Sequence, residues 1–187
     1  MVADLTVLDL FSGIGGFAYG LGRLCGGFRT VAFCEIDPFG RAVLHKHWPD
    51  VPCFEDVHGI TDGTLAALGR IDVVCGGFPC QPHSVAGKRR GRADERHLWP
   101  EMLRIIRLAR PRWVVAENVP GLRTTAADDV LADLEAEGYE VEHVARGDEA
   151  ELRLREVPPD LVVLEWMLPG LSGIEICLGP HLLHDLI

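Results

Sequence analysis

The chain has 187 residues, 48% of them hydrophobic, and a formal net charge of −10. That length suits one domain, or one domain plus a fragment, with ample apolar material for a core. No apolar run reaches the ~20 residues of a membrane span, and Met1 to Leu5 carries Asp4 with no basic residue, unlike a signal peptide. The charge is unevenly spread. Residues 1–125 hold 15 Lys+Arg against 13 Asp+Glu, whereas residues 126–187 hold 3 against 15. The first part is compatible with a nucleic-acid partner, and the second would repel phosphate. Six cysteines (25, 34, 53, 75, 80 and 177) show no CxxC pairing and no His at zinc spacing, so reduced thiols without a metal are expected. A cytoplasmic location follows from the same features.

The predicted elements alternate. Leu5 to Leu10 reads as a buried strand running into Phe11-Ser-Gly13-Ile-Gly15-Gly16, and a helix follows over Phe17 to Leu24. Thr30 to Cys34 is a second strand that ends at Glu35-Ile-Asp37-Pro38, and residues 38–47 are helical. A helix over 62–69 precedes a strand at Ile71 to Cys75. Pro100 to Ala109 is a helix, and Pro111 to Ala116 is a strand that ends at Glu117. Strands alternating with helices imply an α/β fold with a doubly wound, mostly parallel sheet. Such sheets bind ligands at the carboxyl ends of their strands, where the Gly loop, Glu35, Cys80 and Glu117 all fall.

Three of these ends carry chemistry. Gly13, Gly15 and Ala18 fit a dinucleotide fingerprint loosely, and Glu35 stands 20 residues after Gly15, where an acid would accept ribose hydroxyls. The loop alone does not separate a nicotinamide cofactor from S-adenosylmethionine, and the bland alternative is a plain strand-to-helix turn. Cys80 lies between Pro79 and Gln81, shortly before Lys88-Arg89-Arg90-Gly91-Arg92. Positive charge favours the nucleophilic thiolate, and the same residues can hold DNA phosphates. An inert buried thiol is the alternative for Cys80, and it suits Cys25, Cys34, Cys53 and Cys75 well. Glu117 can pair with the amidine-like edge of a base if it shares a proton, or simply face solvent. Asp56 can accept from an adenine amino group or be an ordinary loop acid.

Asp9-Leu-Phe-Ser-Gly-Ile-Gly-Gly16, Glu35-Ile-Asp-Pro38, Gly77-Phe-Pro-Cys-Gln81 and Glu117-Asn-Val119 stand in the order of successive motifs of the cytosine-5 DNA methyltransferase family. Residues 5–125 resemble that family closely, and His83 to Lys88 and His97 to Pro100 resemble its bacterial and phage members. The resemblance implies a Rossmann-like methyltransferase fold, S-adenosylmethionine as cofactor and double-stranded DNA as partner. It implies that Cys80 attacks C6 of a flipped-out cytosine while Glu117 holds the N3/N4 edge. Phe11 would pack on the adenine of the cofactor, Glu35 would bind its ribose, Asp56 would touch its amino group, and Gly13 and Gly15 would line its methionine end. Gln81, Ser84, Lys88, Arg89 and Arg90 would face DNA.

The resemblance stops short of the family's later motifs. Arg153-Leu-Arg155 mimics an expected arginine pair but lacks a preceding Gln and reads better as part of a helix. Instead, Gly138 to Val141, Arg146 to Ala150 and Pro159 to Gly173 resemble the middle of a response-regulator receiver domain, with Glu165 where that family has its phosphoacceptor Asp. The expected division is therefore a methyltransferase part at 1–130, a receiver-like fragment at 131–178 and a tail at 179–187. Residues 138–144 could extend the sheet by a strand. The leading expectation is a C-terminally truncated cytosine-5 DNA methyltransferase, weakly active or inactive alone. The rivals are a non-catalytic protein that docks a partner through the receiver-like tail, and a nicotinamide-dependent oxidoreductase resting on the Gly loop alone.

Overall fold

A computed structural model of the chain describes residues 4–79, 98–116, 127–139, 144, 146–156 and 169–171. Five parallel strands form one sheet in the order β3-β2-β1-β4-β5. They are β1 (Leu5–Leu10), β2 (Phe28–Cys34), β3 (Cys53–Phe54), β4 (Val73–Gly76) and β5 (Trp113–Ala116). The central strands are near-continuous apolar runs because both of their faces are covered. Leu8, Leu10, Ala32, Cys34 and Val74 meet α3 (Asp62–Leu68), α4 (Trp99–Ala109) and α5 (Ala127–Ala136) on one face. On the other, Val7, Val73 and Cys75 pack with Phe17 and Leu21, and Phe33 packs with Ala18 and Leu44. Those partners come from α1 (Gly16–Tyr19), its continuation Gly20–Cys25, and α2 (Pro38–His47). A sixth helix, α6, spans Gly147–Glu156.

The doubly wound expectation holds, with differences at the margins. The helix expected over Phe17 to Leu24 is one α-turn that opens at Gly20 into wider π-type turns, the kind of local widening common near functional sites. β2 starts at Phe28, two residues before the expected Thr30, and β3 is too short to show any alternation. β4 and β5 start two residues later than expected. Pro111 has no amide for a ladder, and the Asp72 carboxylate instead accepts from the Thr6 amide at 3.0 Å and pairs with Arg70 at 2.6 Å.

The strand ends are aligned. Phe54 pairs with Cys34, Cys34 with Leu10, Leu10 with Gly76, and Gly76 with Ala116. One rung thus crosses the whole sheet at its carboxyl edge. The chain order reverses between β1 and β4, which makes this edge a topological switch point.

Candidate active site

The loop after β1 leaves the rung at Leu10 and turns back over the sheet. Phe11 takes φ 53°, Gly13 55° and Gly15 89°. A phenylalanine in the left-handed region is strained, and such strain gathers at functional loops. Gly15 is required twice over. Its φ disfavours a side chain, and a Cβ there would stand 2.6 Å from the Trp48 ring. At Gly13 a Cβ would meet nothing within 4 Å, so only backbone conformation restricts that position. Phe11 is half-buried and packs on the main core cluster.

Glu35, directly after β2, ties this loop to the next one. Its carboxylate accepts from the Gly13 amide at 2.6 Å and, through its other oxygen, from the Asp37 amide at 2.7 Å. A carboxylate offers about four acceptor positions, so each oxygen keeps capacity for a ribose hydroxyl. Asp37 caps α2 by accepting from Gly40 at 3.2 Å. Gly40 lets the helix approach the loop, since a Cβ there would stand 2.7 Å from the Gly13 carbonyl. Arg41 donates to the Ile36 carbonyl at 2.6 Å and pairs with Glu55 at 3.5 Å. Exposed Ile14, Ile36 and Phe39 belong to the same loops and helix start.

Asp56 stands two residues past β3 at the mouth of the edge strand. It accepts from the His58 amide at 2.9 Å and meets the His58 ring at 2.7 Å. These bonds hold its carboxyl below the usual range, the amide contributing most. Arg104 of α4 fixes this turn from beneath, donating to the Val57 carbonyl at 3.0 Å and the Ile60 carbonyl at 2.8 Å. Arg104, Gly40 and Trp48 were not singled out from the sequence. Each acts through a partner distant in the chain, and no local signal marks it.

Of the expected site residues, Phe11, Gly13, Gly15, Glu35 and Asp56 are thus described, and they leave the rung from three neighbouring strands. Cys80, Glu117, Gln81, Ser84, Lys88, Arg89 and Arg90 lie outside the described residues. The remaining described thiols are free and unreactive in character. Burial pushes the Cys34 thiol up to about 12, raises Cys53, and raises Cys75 far more. None of the three is a thiolate near neutral pH.

Comparison with known proteins decides the family. Residues 5–145 match the family of the C-5 cytosine-specific DNA methylase. The chain belongs to that family. Among curated methylases, M.HgiCII of Herpetosiphon aurantiacus is 38% identical over 142 residues, 72% of this chain and 31% of that protein. M.MspI of a Moraxella species is 36% identical over 149 residues, 75% of this chain and 34% of that protein. The chain therefore spans about a third of the length of these relatives. In fold, this chain resembles the Dnmt2 methyltransferase of S. pombe, with a TM-score of 0.61 at 22% identity over 79% of this chain and 46% of that one. The methyltransferase EhMeth of Entamoeba histolytica gives 0.62 at 19% identity, covering 79% and 49%. The family match sets aside the oxidoreductase reading of the Gly loop. It also runs through residue 145, beyond the division expected at 130. No helix among the described residues is long and apolar enough to cross a membrane.

Proposed function

We propose that this chain is the cofactor-binding and catalytic part of a DNA (cytosine-5-)-methyltransferase that uses S-adenosylmethionine and acts on double-stranded DNA. The aligned rung carries the proposal. Gly76 and Ala116 are paired neighbours, so the two strands that precede Cys80 and Glu117 in the sequence end side by side. The loops bearing Phe11, Glu35 and Asp56 leave from the adjoining rung positions.

The residues present fit the cofactor. Glu35 accepts ribose hydroxyls with its remaining lone pairs, and Phe11 packs on the adenine. Asp56 takes the adenine amino group, and the backbone at Gly13 and Gly15 lines the methionine end. When bound, S-adenosylmethionine supplies an electrophilic methyl group for C5 of cytosine. Cys80 supplies the complementary activation: its thiolate adds to C6, and the ring electrons gather at C5. Glu117 holds the N3/N4 edge and offsets the charge that develops there. Loss of the C5 proton then restores the ring and expels the Cys80 thiolate. The high thiol pKa values of Cys34, Cys53 and Cys75 favour Cys80 as nucleophile, since Lys88, Arg89 and Arg90 follow it closely. Gln81, Ser84 and these three basic residues face DNA.

We read residues 138–177 as a receiver-like fragment whose Glu165 replaces the phosphoacceptor. Strongly acidic as it is, the part after residue 125 does not serve phosphate binding, so the chain alone methylates weakly or not at all. Trapping tests the proposal. DNA containing 5-fluorocytosine, incubated with the chain and cofactor, gives a covalent adduct that is lost in Cys80→Ser. An adduct that persists in Cys80→Ser removes Cys80 from the mechanism. Robust sequence-specific methylation by the 187-residue chain overturns the claim of weak activity.

A further inference from the structure

Asp9 is a carboxylate in the middle of a buried strand. It is 0% exposed, and neither of its oxygens has a hydrogen-bond partner of good geometry. Its neighbours Leu8 and Leu10 face the α4 side of the sheet, so strand alternation turns Asp9 toward α1. There it lies opposite Cys75 in the β1–β4 register. An unpaired acid in such a place costs free energy, and the hydrophobic core does not need it.

Its surroundings all belong to the cofactor loop or its supports. The loop contributes the Ser12 hydroxyl, which donates to the Asp9 carbonyl at 2.7 Å. The start of α1 contributes the Ala18 amide, and β4 the Cys75 thiol. The end of β2 contributes the Glu35 carboxylate, the same group that holds the Gly13 amide. Cys75 and Glu35 are the titratable groups that act on it among the described residues. Burial, with a smaller push from the Glu35 carboxylate, outweighs the pull of Cys75, Ala18 and Ser12 and leaves its pKa at about 7.

We propose that Asp9 is the buried counter-charge of the cofactor loop, a positioning residue that favours a cationic cofactor over its uncharged product. The inference rests on the reading of this loop as the S-adenosylmethionine site. The cofactor carries a sulfonium cation, whereas demethylated S-adenosylhomocysteine carries a neutral thioether. A cation above the loop favours the ionised carboxyl, and a neutral sulfur does not. The proton that leaves Asp9 on binding passes to solvent, and it returns when the product replaces the cofactor.

The test is calorimetric titration of the full chain with S-adenosylmethionine and with S-adenosylhomocysteine. It uses buffers of differing ionisation enthalpy between pH 6 and pH 8. The α-amino group of either ligand also titrates near this range, so the reading is the difference between the wild-type chain and Asp9→Asn. The expected result is a fraction of a proton released per S-adenosylmethionine by the wild type only. Its affinity rises several-fold with pH, and S-adenosylhomocysteine gives no such difference between the two proteins. Equal linkage in Asp9→Asn and wild type overturns the inference while leaving the cofactor assignment intact. Failure of either ligand to bind at any pH overturns the cofactor assignment and this inference with it. Should Asp9→Asn not fold, infrared difference spectra of the wild type decide. A buried carboxylic acid band present at pH 6 and lost on adding S-adenosylmethionine supports the inference, and its absence at pH 6 refutes it.

Discussion

Two helices of nearly equal length are held in opposite ways. α4, of 11 residues, buries Trp99, Met102, Leu103, Ile105 and Ile106 against the sheet. α6, of 10 residues, reads GDEAELRLRE, and six of them are charged. Among its described side chains Ala150 is buried, while Leu152 is 56% exposed. α4 also fastens its neighbours: Trp99 donates to Asp133 of α5 at 2.9 Å, and Arg107 pairs with Glu137 at 2.6 Å. The described contacts at the start of α6 are fewer. Arg146 bonds Asp148 at 2.9 Å, and the Gly147 amide reaches the Pro169 carbonyl at 2.9 Å. Among the described residues the main core cluster runs to Val130 and Leu134 of α5, with Tyr139 packed against it, and takes in no side chain of α6.

The sharpest way to break this contrast is a cavity in α4. Ile106 is 0% exposed within the main cluster, so Ile106→Ala should cost about 4 kcal/mol in urea unfolding. A loss below about 1 kcal/mol would mean that α4 does not anchor the sheet. Next comes Asp9, on the opposite face. Its carboxyl ionises at about 7 in the fold against 3.8 in the unfolded chain. Its contribution to stability is therefore fully present below the unfolded value and is lost as pH rises through about 7. The advantage of Asp9→Asn over the wild type should grow by about 3 kcal/mol between pH 5 and pH 8. Parallel unfolding curves at the two pH values for both proteins would show that Asp9 does not carry this proton.

Arg104 links the α4 scaffold to the site. Replacing it by Met keeps the stem of the side chain but removes the guanidinium donors to the Val57 and Ile60 carbonyls. A loss of about 2 kcal/mol is expected, together with weaker cofactor binding through the Asp56 turn. Unchanged affinity alongside reduced stability would place Arg104 in the scaffold alone.

How much of this was legible depended on where each signal lies. β1, β2 and β4 announce themselves because parallel strands covered on both faces are written as apolar runs. The Gly loop and Glu35 are local motifs with a fixed spacing, so they too can be read directly. Glu35 as the clasp between two loops could not be read, because the Gly13 bond spans 22 residues. β3 is two residues long, below any periodic signal. The strain at Phe11 is equally silent, since nothing in a phenylalanine marks a φ of 53°. α6 was legible as a helix from its amphipathic charge pattern, although the arginines within it invited comparison with a family motif.

The smallest expected effect is on α6 itself. Leu152 is a large exposed apolar residue among those described in α6, and truncating an exposed side chain leaves stability within about 0.5 kcal/mol. Leu152→Ala should therefore leave the unfolding midpoint unchanged within error. Cofactor titrations of this variant should overlay the wild type, because the described residues of the loops after β1, β2 and β3 make no use of it. A drop for Leu152→Ala as large as that for Ile106→Ala would give α6 a buried partner and carry the core past α5. The folded unit would then include residues beyond 145, where the family match ends.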